Sequence, residues 1–274
     1  MVFVFKVDLF QFLALATPSG GSFLFTDSHS LSKMKVVVIG GSSGIGFSTA
    51  LLAARLGANV CIASRNSERL DTAVTEIERL SKHPVTAWQV NIEDRSRVKD
   101  FLDEVGAIDH LLIPGSTVIP QLLPDMTEEV ARAAFDSKFW GPFWCAIDAQ
   151  GNMSRGGSIT LYSGVAAERP VKGFVIGAAI DGAVNALVRS LALEYGLHKI
   201  RVNAISPGLI LTPLLTTIDH FVSRVDPSDE LAARSPLRQA GEPVHCALAA
   251  IGLMLNEFIT GEVINVDGGA RSMP

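Results

Sequence analysis

Tyrosine and cysteine are scarce in this chain, and neither sign of charge dominates. Tyr162 and Tyr195 are the only tyrosines among 274 residues, so chemistry that needs a phenol has just two candidates. Tyr195 falls late in an apolar helical stretch, far from any cleft. Tyr162 falls in a strand, where packing is its commoner fate and lining a pocket the alternative. Cys61, Cys145 and Cys246 are widely separated, each within an apolar stretch. That spacing argues against a disulfide framework or a metal site and predicts reduced, buried thiols in a cytoplasmic compartment. The net charge is -5 and no basic run occurs, which gives no support to nucleic acid as a partner. From Met34 onward no apolar run is expected to reach the about 20 residues that a bilayer span needs, so no membrane partner is expected either.

The first 33 residues stand apart. They are rich in phenylalanine, but Lys6 and Asp8 interrupt the apolar run and no basic start precedes it, against the pattern of a secretory signal. Met34 directly precedes the first expected strand. Residues 1–33 are therefore read as an extension the fold does not need, and 34–274 as a single domain.

What is abundant is apolar sequence, 48% of the chain, enough for a sizeable core. It is laid out as alternating strands and helices without a linker, which predicts an α/β fold with a parallel sheet of about seven strands. Expected strands lie at Lys35–Ile39, Ala58–Ala63, Val85–Val90 and Asp109–Ile113; Gly156–Ala167 holds the fifth strand and its exit loop, Ile200–Gly208 the sixth strand and its turn, and Ile259–Gly269 closes the sheet. Expected helices include Ser67–Leu80, Arg95–Val105, Thr127–Ala149 with a kink at Pro142, and Glu242–Asn256.

One stretch organises the rest. The buried-type strand Lys35–Ile39 runs into Gly40-Gly41-Ser42-Ser43-Gly44-Ile45-Gly46 and then an Ala/Leu-rich helix. Glycines where a parallel strand turns into a helix let backbone N–H groups approach a pyrophosphate, which the positive end of the helix dipole also favours. At the end of the second strand, Arg65 and Asn66 stand where an acidic residue would bind the ribose hydroxyls of NAD. Arg65 instead offers a cation to a 2'-phosphate, which favours NADPH.

The spacing Gly40-x-x-x-Gly44-x-Gly46 resembles the glycine turn of the short-chain dehydrogenase/reductase family, and the likeness runs from about Lys35 to Asp267. It implies a Rossmann-like, doubly wound sheet, a small-molecule substrate and a homo-oligomer, a tetramer in most relatives. It further implies cofactor contacts from Gly40, Ser42, Ser43, Gly44, Ile45, Gly46, Arg65, Asn66, Asn91, Ile92, Gly115, Pro207, Gly208, Ile210 and Thr212.

The catalytic positions depart from the family. Lys138 stands where the family has asparagine, Gly164 where it has serine, Gly177 for tyrosine and Asp181 for lysine. A ketone reduced to an alkoxide develops negative charge, and a carboxylate about 4 Å away opposes it by roughly 4 kcal/mol at an effective dielectric near 20, about a thousandfold in rate. A cationic C=N group reverses that sign. Asp181 would hold an iminium in place, and hydride addition there needs no proton on oxygen. The segment Ala179-Ile180-Asp181-Gly182-Ala183 is similar to a divergent branch of the family, the bifunctional reductase/Diels-Alderases of fungal indole alkaloid pathways such as malbrancheamide and paraherquamide. That resemblance implies NADPH reduction of a cationic ring and then an intramolecular cycloaddition in an apolar pocket, with Leu214, Leu215, Ile218 and Phe221 as candidate walls. Two alternatives stay open: a non-catalytic NADPH-binding scaffold, and an ordinary carbonyl reductase with an unrecognised acid. Lys138 and Asp181 either form an ion pair or act on substrate.

Overall fold

Val36, Val37 and Val38 offer no polar side chain to either side of their strand, a pattern tolerated only where both faces are covered. A computed structural model describes residues 31–115, 120–215 and 235–272, and all three valines are fully buried in it. Among the described residues one sheet of seven parallel strands forms: β1 Lys35–Ile39, β2 Asn59–Ser64, β3 Val85–Gln89, β4 Ile108–Ile113, β5 Met153–Tyr162, β6 Arg201–Pro207 and β7 Val263–Val266. Their order is β3-β2-β1-β4-β5-β6-β7, with parallel register throughout.

Helices cover both faces because side chains alternate along each strand. On one face α1 (Gly44–Arg55), α2 (Ser67–Ser81) and α7 (Pro243–Leu255) pack against Val36, Val38, Ile62, Leu112 and Ile205. On the other, α3 (Arg95–Val105), α4 (Glu128–Phe135), α5 (Gly141–Asp148) and α6 (Val175–Gly196) pack against Val37, Ile39, Leu111, Ile159 and Leu161. The chain reverses its winding between β1 and β4, which opens a crevice at the carboxyl ends of those two strands.

Several expectations are corrected. Leu31, three residues before the expected boundary at Met34, is fully buried. The Met34 N–H donates to the Leu31 carbonyl at 3.0 Å; residues 1–30 lie outside the described residues. The expected helix Thr127–Ala149 is interrupted by a π-turn, Asp136–Trp140, between α4 and α5. The Gly141 N–H donates to the Asp136 carbonyl five residues back. Pro142, which has no N–H to continue an ordinary ladder, follows this wider turn, so the irregularity takes the form of a π-turn. Finally, α6 is long and apolar enough by composition to cross a bilayer, contrary to expectation. It spends that character on the core, burying Ile180, Val184, Val188 and Leu191 against the sheet. All three cysteines are buried thiols, each pushed up in pKa by burial.

Candidate functional site

The glycine turn after β1 is built by exclusion of side chains. Gly40 has φ of +98°, and a β-carbon there would stand 2.4 Å from the Cα of Gly115 after β4. One on Gly46 would stand 2.1 Å from the Gly40 carbonyl oxygen. Only glycine lets these three segments close on each other. The first turn of α1 carries no acidic residue, and Ser43 at its cap makes no side-chain capping bond. Its leading N–H groups are thus left for an anion. Ser42 Oγ donates to Ser64 Oγ at 2.9 Å, tying the turn to the end of β2.

These segments line a cleft of about 430 Å³. Of the residues expected to hold a dinucleotide, Gly40, Ser42, Ser43, Gly44, Ile45, Gly46, Arg65, Asn66, Asn91, Ile92, Gly115 and Thr212 border it. Asn66 also caps α2, accepting from the Arg69 N–H at 2.8 Å. Arg69, one turn into that helix, lines the cleft beside Arg65. This second cation was missed in the sequence; its position four residues after Arg65 on a helix start is the signal that could have found it. Ser64, Glu93 and Ser137 were missed as well.

Pro207, Gly208 and Ile210 are not brought onto this lining. Gly208 packs so closely on Asp267 that a β-carbon would stand 2.7 Å from its Cα. Ile210 is 7% exposed and sits in the core, its backbone bridging to Gly241. Leu214 reaches the cleft, whereas Ile218 and Phe221 lie outside the described residues.

Asp181 and Lys138 meet beside the cleft rather than on its wall. Lys138 Nζ donates to Asp181 Oδ1 at 2.5 Å, with side-chain accessibilities of 14% and 4%. The expected choice between ion pair and independent action is thus settled for this state as an ion pair. Lys138 rides on the π-turn, next to Ser137 on the cleft lining. Asp181 lies in the second turn of α6, against Gly164 just beyond β5. Burial pushes its carboxyl above the ordinary range, and the Lys138 cation works against that shift. A buried carboxylate with one cationic partner forms a neutral pair that still carries a strong local dipole.

Neither tyrosine belongs to this group. Tyr195 donates its hydroxyl to the Ala146 carbonyl at 3.0 Å and pins α6 to α5. Tyr162 is buried on the opposite face of the sheet with the residues of α1 and α7, and burial raises its phenol. It packs, as its place in a strand implied.

Comparison with known proteins agrees with this geometry. The family model described as enoyl-(acyl carrier protein) reductase matches residues 39–271. The short-chain dehydrogenase/reductase ATR9 of Stachybotrys chlorohalonatus is 31% identical over 246 residues, covering 86% of this chain and 96% of its own. Among solved structures, the MalC reductase/Diels-Alderase of Malbranchea aurantiaca is 28% identical with a TM-score of 0.79, covering 89% of this chain and 98% of its own. A small-chain dehydrogenase in complex with NADPH is 32% identical with a TM-score of 0.73, covering 88% and 100%. The parallel seven-stranded sheet, the glycine turn at its switch point and these relatives together place the chain in the short-chain dehydrogenase/reductase family of oxidoreductases.

Proposed function

We propose that this protein is an NADPH-dependent reductase of cationic C=N substrates. The observation that carries the reading is the buried carboxylate of Asp181 beside the carboxyl end of β5, ion-paired with Lys138; on the family likeness, Gly164, Gly177 and Lys138 would stand at the other catalytic positions. Arg65 and Arg69 at the start of α2 suit a 2'-phosphate, since two guanidinium groups match phosphate geometry. The glycine turn suits the pyrophosphate, and Thr212 the carboxamide end.

NADPH, when bound, supplies the hydride. The chain's own residues do the rest: Asp181 orients and stabilises the positive nitrogen, Lys138 keeps that carboxylate ionised despite its burial, and the cleft wall excludes water. No proton need be delivered to oxygen, so the lack of a nearby phenol is not a defect on this reading. A subsequent intramolecular cycloaddition would require only an apolar surface that holds diene and alkene together, for which Leu214 is available.

The ion pair favours one second reading. A Lys138 ammonium could donate a proton to a carbonyl oxygen as hydride reaches the carbon, leaving a neutral amine on Lys138 and an alcohol as product. Two variants separate the readings. Under the lead reading Asp181→Asn loses turnover of a cyclic iminium panel about a hundredfold or more while NADPH affinity is kept, and no ketone is reduced. Ketone turnover that falls with Lys138→Met and survives Asp181→Asn would overturn it in favour of the second.

We also propose a homo-oligomer, a tetramer by analogy. Trp140 is 44% exposed and leads an aromatic series with Phe139, Phe143 and Trp144 along the rod of α4, π-turn and α5. Light scattering on the purified chain tests the assembly.

A further inference from the structure

Gly164 has no backbone reason to be glycine. Its φ of -174° and ψ of 158° are ordinary extended values that any residue adopts. What it lacks is room. A β-carbon on Gly164 would stand 2.5 Å from Oδ2 and 3.1 Å from Cγ of Asp181, closer than carbon and oxygen tolerate. The carboxylate therefore occupies the space that a side chain at 164 would fill. Its other oxygen, Oδ1, takes the hydrogen bond from Lys138. Lys138, on the π-turn, is the charged side chain that faces the carboxylate; among the described residues α6, β5 and the loop after β5 bring no other titratable group to it.

We infer that Gly164 is a specificity-determining position, the seat that lets the Asp181 carboxylate stand at the end of β5 and so gives the site its preference for cationic substrates. The inference rests on the proposed function for the substrate class, but the seating itself does not. Gly164 acts through Asp181 and is a positioning residue. Adding a single methyl group at 164 forces the carboxylate to swing toward the cleft, toward water, or both, and stretches its bond to Lys138. Once hydrated, the carboxyl loses the desolvation that raises its pKa, and the group returns toward ordinary carboxylate behaviour.

The test uses the full chain with NADPH and N-methyl-3,4-dihydroisoquinolinium, whose permanent charge keeps its own titration out of the profile. Gly164→Ala should lower Tm by about 5 °C, as overpacking of a closed site does in a chain of this size. In the Asp181→Ala background the same change should move Tm by no more than about 1 °C, because the colliding atoms are gone. Over the same series the acid limb of kcat/KM should shift downward in Gly164→Ala, with NADPH affinity held within about twofold of the parent. A loss of stability that is equally large without the carboxylate, or an acid limb that does not move, overturns the inference. Should the parent protein fail to reduce any cationic C=N probe, the proposed function falls. The seating is then read without turnover, from a carbon-13 titration of the Asp181 carboxyl in the parent and in Gly164→Ala. A downward shift in the variant upholds it, and an unchanged titration overturns it.

Discussion

The two ends of the sheet each bury a charge, and they hold it in different ways. Toward the amino ends of the strands, His110, Ser158 and Arg201 lie in one rung across β4, β5 and β6. Arg201 donates to the carbonyls of Leu253 and Met254 at 2.5 and 2.9 Å, closing the last turn of α7, where the negative end of the helix dipole favours a cation. At the carboxyl ends, Asp181 has, among the described residues, the single side chain of Lys138 for its charge. A charge fixed by main-chain groups that cannot leave is structural. One fixed by a flexible lysine beside a cleft is available, and the difference separates a closed end from a working one although both residues are almost wholly buried.

The strongest way to break that comparison is to remove Lys138. Lys138→Met leaves an unpaired carboxylate in place and should cost about 4 kcal/mol near pH 8. The sign with pH follows from the carboxyl's raised folded-state pKa: its contribution is full below the ordinary value of 3.8 and is lost as pH rises through the folded value. Without the opposing cation that folded value rises further. Urea unfolding at pH 5 and 8 should therefore find the variant's deficit larger at pH 8, and adding Asp181→Asn should recover most of it. An equal deficit at both pH values would mean the pair is not what holds the charge.

At the other end, Arg201→Met should cost about 3 kcal/mol, because two carbonyls at the end of α7 lose a charged donor. Cofactor affinity should stay unchanged, so fluorescence titration with NADPH beside a melting curve tells structural loss from functional loss. His110 sharpens the picture. Burial, with the Arg201 charge next, pushes its imidazole down to about 4 from 6.5. A lowered folded value means the unfolded chain binds the extra proton, so stability is full above pH 6.5 and falls as pH drops toward 4, by up to about 3 kcal/mol. His110→Gln should flatten that acid slope while leaving stability at pH 8 within about 1 kcal/mol, a difference readable by denaturant titration. The smallest expected effect is in the cleft itself. Arg65→Ala should weaken NADPH binding about tenfold to a hundredfold and leave NADH unchanged, as loss of one charge-assisted phosphate contact would. Equal losses for both nucleotides would put Arg65 outside the phosphate site.

The cleft was largely legible in the sequence because it is made by main chain. Gly40, Gly44 and Gly46 declare a turn by spacing alone, and the strand before them and the helix after them fix its orientation. Arg69 escaped because a charged residue on a helix start is indistinguishable, in one dimension, from a solvated one. Ile210 and Gly208 were named from family likeness; the structure places Ile210 in the core and Gly208 against Asp267. Leu31, just outside the expected boundary at Met34, is one leucine among many in the sequence, and only the structure shows it fully buried. Leu31→Ala should cost about 3 kcal/mol.

The order of elements, the parallel sheet and the position of the glycine turn follow from the one-dimensional pattern, since burial period and turn chemistry are local properties of the chain. The sequence also named Asp181 and Lys138 as departures from the usual chemistry, but left open whether they meet. That was decided by packing. Forty-three residues separate the two, the π-turn sets the lysine's direction, and only a bare α-carbon at 164 gives the carboxylate a place to stand. Such a contact is long-range and steric, and no pattern of neighbours along the chain encodes it.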